Sequence, residues 1–176
     1  MKDVFEEALG LMSSGESAAL STIVSSKGSL PMSKKAKMLV KADGTIIGTV
    51  GGGCLEADVW AEARDVMESG LSSLQKFILT EKHAGENGLN CGGNVEIFTE
   101  PLVHADAEAL FSEIAGIRER RELAVLATRV SSGEASASKL LFREDGSTLG
   151  SLGDPSIELQ VKQLLSEKGR IAEDLL

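Results

Sequence analysis

Cys54 is the side chain with the clearest potential for chemistry, because it follows three glycines at the start of a predicted helix. The sequence GTVGGGCLE (residues 48–56) runs from an apolar strand pattern through Gly51, Gly52 and Gly53 into a helical pattern. Glycines let a backbone turn sharply and let a ligand approach main-chain N–H groups. A helix N-terminus favours anions. The stretch therefore predicts either an anion-binding turn beside a thiol or a tight structural connection around a small buried cysteine.

A second thiol is placed beside glycines in the same way. The polar, glycine-rich stretch 80–90 ends at Cys91, Gly92 and Gly93, and a strand pattern follows at 95–99. Two cysteines are too few for a disulfide framework, and neither belongs to a CxxC pair typical of structural zinc. The repeated combination of thiol and glycines favours close approach of the backbone to a ligand.

A group of lysines lies just before the glycine stretch. Five lysines and no acidic residue occur between Glu16 and Asp43, although the whole chain has a net charge of -9: Lys27, Lys34, Lys35, Lys37 and Lys41. A basic segment in an acidic chain indicates a local anion site, and a solvated basic loop is the alternative.

Composition limits the classes of protein that fit. The 176 residues suit one domain with a sizeable core, which we expect to span residues 1–176. No apolar run approaches the roughly 20 residues of a membrane span, and no signal-peptide pattern begins the chain, so we expect a cytoplasmic location. The acidic balance argues against nucleic acid as a partner. Neither the phosphate-loop motif nor GxGxxG is present.

The hydrophobic pattern predicts a duplicated unit of three strands and a helix. Apolar runs flank an Asp-Gly hairpin signal at residues 43–44, and the same order recurs at 145–146. The half-repeats cover about 17–70 and 122–170, which predicts a mixed α/β (α+β) fold with two related halves, a mixed sheet and covering helices. The second copy has Asp154, Pro155 and Ser156 in place of the two last glycines and Cys54. We therefore expect chemistry in the first half; drift in a structural turn is the alternative.

Three sequence blocks together carry a family resemblance. They are GSLP through AKMLV (28–40), GTVGGGCLEA (48–57), and CGGNVEIF with EPL (91–102). With these blocks the chain resembles the N-terminal domain of the XdhC/CoxI family of xanthine dehydrogenase accessory factors. Family members commonly have Arg and Gly where this chain has Met32 and Lys35, so an anion contact either passes to Lys34, Lys35 or Lys37 or is lost.

The resemblance implies a chaperone that binds molybdenum cofactor (molybdopterin) as transient cargo, helps to sulfurate it and inserts it into a molybdenum hydroxylase such as xanthine dehydrogenase. It also implies a homodimer, and a cysteine desulfurase is a further candidate partner. The implied cofactor site contains the glycine turn with Cys54, the segment Cys91, Gly92 and Gly93, and the lysines Lys34, Lys35 and Lys37. Gly51, Gly52 and Gly53 would offer N–H donors to the cofactor phosphate, and the thiols of Cys54 and Cys91 are candidates to contact the molybdenum.

Many family members continue into a dinucleotide-binding-like C-terminal domain, which these 176 residues do not include. An accessory role makes an enzyme the less favoured class. Two alternatives stay open: a thiol-dependent enzyme or persulfide carrier using Cys54, and a non-catalytic regulatory or interaction domain. The enzyme alternative has no evident catalytic base, since both histidines, His83 and His104, lie far from Cys54 in sequence.

Overall fold

The computed structural model describes residues 3–27, 36–79, 93–102 and 105–167. Four helices and eight strands alternate along these segments. In chain order they are α1 (Val4–Ser14), β1 (Ala18–Lys27), β2 (Lys37–Lys41), β3 (Ile46–Gly48), α2 (Cys54–Ser69), β4 (Ser73–Leu79), β5 (Gly93–Pro101), α3 (Ala105–Arg120), β6 (Ala124–Thr128), β7 (Lys139–Arg143), β8 (Thr148–Ser151) and α4 (Pro155–Glu167). The predicted mixed α/β class is confirmed.

The strands form a five-stranded sheet in the order β3-β2-β1-β5-β4 and a three-stranded sheet in the order β6-β7-β8. Every pairing among the described strands is antiparallel, whereas the prediction was a mixed sheet. For two of these six pairings the reason is local: short Asp-Gly turns join β2 to β3 and β7 to β8, and such turns can only reverse the chain.

Both faces of the five-stranded sheet are buried, because successive apolar side chains along its strands pack on opposite faces. Met38 and Val40 on β2 pack with Leu55, Val59 and other apolar residues of α2. The intervening Leu39 packs on the opposite face with α1 and with Phe111 of α3. Side chains of successive residues point to opposite faces, so α2 covers one face while α1 and α3 cover the other.

Helix α3 lies between the two sheets. Phe111 contacts the five-stranded sheet, whereas Leu110, Ile114 and Ile117 pack on Leu141 of the three-stranded sheet. The far face of the three-stranded sheet is covered by α4 through Val161 and Leu165. One central helix therefore joins the cores of the two halves.

In both halves a glycine with positive φ lies near the end of the third strand, close to the backbone of the neighbouring strand. Gly48 (φ 80°) ends β3, and Gly150 (φ 92°) occupies the same position in β8. A Cβ added to Gly48 would lie 2.3 Å from the carbonyl oxygen of Lys37, and one added to Gly150 would lie 2.3 Å from that of Lys139. Any side chain would overlap the backbone of the neighbouring strand, so both positions require glycine.

We predict that Gly48→Ala and Gly150→Ala each lower the free energy of unfolding by at least about 2 kcal/mol, because a Cβ forces the adjacent strands apart at a positive φ. Urea unfolding followed by circular dichroism measures the effect. Gly10→Ala is the matched control: Gly10 lies within α1, where an added Cβ meets nothing within 4 Å. This control should raise stability by about 0.5–1 kcal/mol. Equal tolerance of all three substitutions would contradict the close approach.

Candidate functional site

The predicted glycine turn connects the edge strand β3 to α2. Gly53 is the N-cap residue of α2 and has φ 63° and ψ −130°, and Cys54 is the first helical residue, with an exposed free thiol. Glycine has no side chain with which to cap the helix. The N–H groups in the first turn of α2 therefore donate to no N-cap side chain. The turn thus joins uncapped N–H donors to an accessible thiol.

A short hydrogen-bonded network holds the turn in shape. The N–H of Gly51 donates to Thr49 Oγ1 (3.2 Å), and the Thr49 hydroxyl in turn contacts the carboxylate of Glu56 in the first turn of α2. The N–H of Gly51 is therefore used inside the turn. Of the three predicted glycine donors, Gly52 and Gly53 are the ones left as candidates for an anion.

The second half builds the same network and then closes the helix end. Ser151 and Glu158 repeat the Thr49–Glu56 contact, with Oγ–Oε1 at 2.7 Å, and the N–H of Gly153 donates to Ser151 Oγ (2.9 Å). Here, however, Asp154 Oδ1 accepts from the N–H of Ser156 (2.8 Å). The pKa of Asp154 is lowered by its hydrogen bonds with Ser156, first through the side chain and then through the backbone. The N-terminus of α4 is thus capped by a carboxylate, whereas the N-cap residue of α2 is a glycine with no side chain.

The topology brings the described parts of the three predicted blocks to one end of the five-stranded sheet. Strands β1, β3 and β4 end there, and β2 and β5 begin there, because all neighbours are antiparallel. Gly93, the first residue of β5, pairs with Leu79 at this end. Lys34, Lys35, Cys91 and Gly92 lie outside the described residues. The described residues that precede and follow them, at 27, 36, 79 and 93, belong to this end of the sheet.

Lys37 is not brought together with the thiol. Its backbone carbonyl accepts from the N–H of Thr49 (2.9 Å) at the start of the turn, but its side chain lies on the opposite face of the sheet from α2. There Nζ donates to Thr22 Oγ1 (3.2 Å) and sits 5.8 Å from the ring centroid of Phe5 in α1. The structure separates the Lys37 ammonium from Cys54 by the thickness of the sheet.

Burial lowers the pKa of Lys37 to about 8; nearby Glu100 raises it and Lys139 lowers it further. Glu100 and Lys139 form a buried ion pair, each side chain being 7% exposed. Sequence analysis missed both residues. One signal was available, because Lys139 is the counterpart of Lys37 in the second half-repeat. Nothing in the sequence distinguishes Glu100 from the other acid of β5, Glu96.

The described residues contain no group of three or more His, Cys, Asp or Glu side chains that could hold a metal ion. Nor does the described portion include a helix long and apolar enough to cross a bilayer.

Comparisons with known proteins give a family match for part of the chain. Residues 11–77 match the XdhC and CoxI family. The predicted family resemblance is thereby confirmed, and the matched segment contains the β2–β3 hairpin, the glycine turn, Cys54 and all of α2.

Two Escherichia coli (strain K12) proteins are similar in sequence. The uncharacterized protein YqeB is 35% identical over 96 residues, covering 54% of this chain and 18% of YqeB. The molybdenum cofactor insertion chaperone PaoD is 28% identical over 126 residues, covering 68% of this chain and 37% of PaoD. The chain thus spans well under half the length of these relatives.

A solved structure shares the fold. A Bacillus halodurans chain described as a xanthine dehydrogenase superposes with a TM-score of 0.69 at 21% identity, covering 89% of this chain and 47% of that one. At this identity the match supports the arrangement of sheets and helices.

We predict that Lys37 makes wild-type stability depend on pH between about 8 and 10.5. In this window the folded chain loses the Lys37 proton while the unfolded chain keeps it, so the unfolded state binds more protons and stability rises with pH. Below pH 8 both states hold the proton and the cost of burying the ammonium is fully present. Relative to Lys37→Met, the wild type should gain about 1–3 kcal/mol across the window.

Urea unfolding of both proteins at a series of pH values measures this difference. The exposed Lys76 supplies the control, since Lys76→Met should follow the wild-type curve. A constant stability difference between wild type and Lys37→Met from pH 7 to 10.5 would show that Lys37 is not buried as described.

Proposed function

We propose that this chain is an accessory factor that binds molybdenum cofactor as cargo and delivers it to a xanthine dehydrogenase-type molybdenum hydroxylase. The observation that carries the proposal is the uncapped N-terminus of α2 with the exposed Cys54 thiol, inside the segment that matches the XdhC and CoxI family. Similarity to PaoD, named as a molybdenum cofactor insertion chaperone, supports the choice of cargo.

The chemistry of the glycine turn suits two parts of this cargo. Main-chain N–H groups of Gly52, Gly53 and the first turn of α2 are donors for the cofactor phosphate. The positive N-terminal end of the helix dipole favours the negative charge of that phosphate. The Cys54 thiolate is a soft ligand that matches a molybdenum–sulfur centre. One turn would thus hold the phosphate and the metal end of the same molecule.

Residues of the other two predicted blocks supply the remaining contacts in this proposal. Lys34 and Lys35 would add countercharge for the phosphate. Cys91, Gly92 and Gly93 would also contact the cofactor, with Cys91 as a second candidate for contact with the molybdenum. Lys37 takes no direct part, because its ammonium lies on the far face and donates to Thr22.

Further features belong to the same proposal. The factor helps to keep the cofactor sulfurated, receives sulfur from a cysteine desulfurase, works as a homodimer and resides in the cytoplasm. Binding and delivery, rather than turnover, is the primary activity.

A second candidate function rests on the exposure of Cys54 at a helix N-terminus. In this version Cys54 is a persulfide carrier or a nucleophile at the start of α2. The two candidates differ in what is bound: the carrier holds sulfur covalently without the pterin, whereas the chaperone holds the whole cofactor.

We predict stoichiometric binding of molybdenum cofactor by the folded chain under anaerobic conditions. Bound molybdenum and the fluorescence of the oxidised pterin report the complex. Cys54→Ser should weaken binding roughly tenfold, about 1.4 kcal/mol, through loss of the soft sulfur contact. Ser156→Ala, at the equivalent position of the capped α4, is the matched control and should bind as the wild type does.

Absence of cofactor binding by folded wild type would refute the chaperone proposal. Transfer of the outer sulfur of a cysteine desulfurase persulfide to the Cys54 thiol, which releases the desulfurase thiol, would favour the carrier if it occurs without cofactor binding. It is detected as a mass increase of one sulfur atom that is lost in Cys54→Ser.

A further inference from the structure

Strand β6 is an open edge of the three-stranded sheet, whereas its counterpart β1 lies inside the five-stranded sheet. The two strands occupy equivalent positions, because each pairs antiparallel with the first strand of an Asp-Gly hairpin. The five-stranded sheet continues from β1 to β5 and β4, but the smaller sheet ends at β6. Among the described residues, the second half therefore has no strand in the positions of β5 and β4.

Helix α4 is less buried than α2, in agreement with this difference. Four residues of α2 are buried, and their core includes residues of β5 and β4. No residue of α4 is buried. Ile157 is the counterpart of Leu55, because it precedes Glu158 as Leu55 precedes Glu56, yet it is 37% exposed and Leu55 is 4% exposed. The apolar side of α4 is thus only partly covered.

The position of Leu164 shows which side of α4 is uncovered. Its counterpart in α2 is Glu62, which follows Glu56 at the same distance as Leu164 follows Glu158. Glu62 lies next to β4, where its Oε1 accepts from Gln75 Nε2 (3.5 Å). By this equivalence, Leu164 points toward the position that β4 would occupy beyond β6. It is 55% exposed, so an apolar side chain adjoins the open edge.

The main-chain groups of β6 are divided between its two edges. The N–H of Arg129, which directly follows β6, donates to the carbonyl of Ser138 on the β7 side (2.9 Å). Alternation along an antiparallel strand then directs the N–H and C=O groups of Ala124, Leu126 and Thr128 to the open edge. No described strand pairs with them there. Three residues thus offer donors and acceptors to a further strand.

The sequence of β6 suits antiparallel pairing with a second copy of itself. In a pair centred on Leu126, this residue faces its own copy and Ala124 faces Thr128 of the second copy. The strand AVLAT has no charged residue that would keep another strand away. An equivalent pair centred on Lys76 of the edge strand β4 would place two lysines opposite each other, which is destabilising. Of these two edges, β6 is the one suited to self-association.

We propose that two copies of this chain associate through β6, antiparallel about a twofold axis, and form one six-stranded sheet with three strands from each copy. Three residue pairs exchange two main-chain hydrogen bonds each, about six in total. The two α4 helices lie on the same face of this sheet, and Leu164 of each copy contacts the other helix. The inference rests on the proposed function, since it assigns an interface to the homodimer named there.

Analytical ultracentrifugation of the full chain over a series of concentrations tests the association. We expect the wild type to dimerise and Leu164→Glu to raise the dissociation constant of the dimer at least about tenfold, because it brings two like charges into the interface. Leu159→Glu is the matched control. Leu159 is 57% exposed and lies on another side of α4 from Val161, which packs on the sheet. The control should dimerise as the wild type does.

Thr128→Pro tests the strand pairing itself. Proline removes an N–H of the open edge and leaves the β6–β7 hydrogen bonds intact, so the chain should fold and its dimer should weaken at least about tenfold. Lys76→Pro is the control at the open edge of β4. The N–H of Leu74, two residues earlier, donates outward to Ser132 Oγ (2.9 Å), so the Lys76 N–H is also outside the β4–β5 ladder. Circular dichroism checks that each variant is folded.

The inference is overturned if the folded wild type stays monomeric up to about 100 μM, or if Leu164→Glu and Thr128→Pro both dimerise as the wild type does. Failure here is distinguishable from failure of the proposed function, because cofactor binding is measured separately. Cofactor binding that depends on Cys54, in a chain that does not pair through β6, would reject this interface and leave the proposed cargo standing.

Discussion

The close approach of β3 to β2 at Gly48 is the constraint on which the candidate site depends. Because no Cβ separates Gly48 from the Lys37 carbonyl, the chain leaves the sheet immediately and the N–H of Thr49 bonds to that same carbonyl. Thr49 is thereby fixed, and its hydroxyl links the N–H of Gly51 to the Glu56 carboxylate. The start of α2, and with it Cys54, is positioned by this sequence of contacts.

The same contacts occur in the second half at Gly150, Ser151, Gly153 and Glu158. These contacts therefore serve the fold and do not by themselves indicate a binding site. What differs is the residue that follows. Asp154 supplies a carboxylate to the N–H of Ser156 in α4, whereas Gly52 and Gly53 leave the α2 terminus without one. Replacing a cap of this kind by glycine costs only about a few tenths of a kcal/mol. The absence of the cap carboxylate from one of two otherwise matched turns is the main structural support for an anion site there.

Much of this arrangement could be predicted from sequence. The Asp-Gly turns, the alternating strands and the repeat of the strand–strand–strand–helix unit depend on local residue patterns, and the glycine turn lies where it was expected. The position of the Lys37 side chain could not be predicted. Which face of the sheet it lies on depends on strand register and not on its neighbours in sequence. Glu100 was missed for a related reason: its partner Lys139 is 39 residues away, and only the packing of two sheets on α3 brings them together.

The central claim is that the α2 terminus is an anion site kept open by glycine. Gly52 allows a direct test, since an added Cβ there meets nothing within 4 Å. Gly52→Asp and Gly52→Asn add nearly identical side chains that differ in charge. The measurement is anaerobic titration of both variants with molybdenum cofactor. Our account predicts that Asp lowers affinity at least about tenfold more than Asn, since the carboxylate repels a bound phosphate. Equal affinities for the two variants would contradict it.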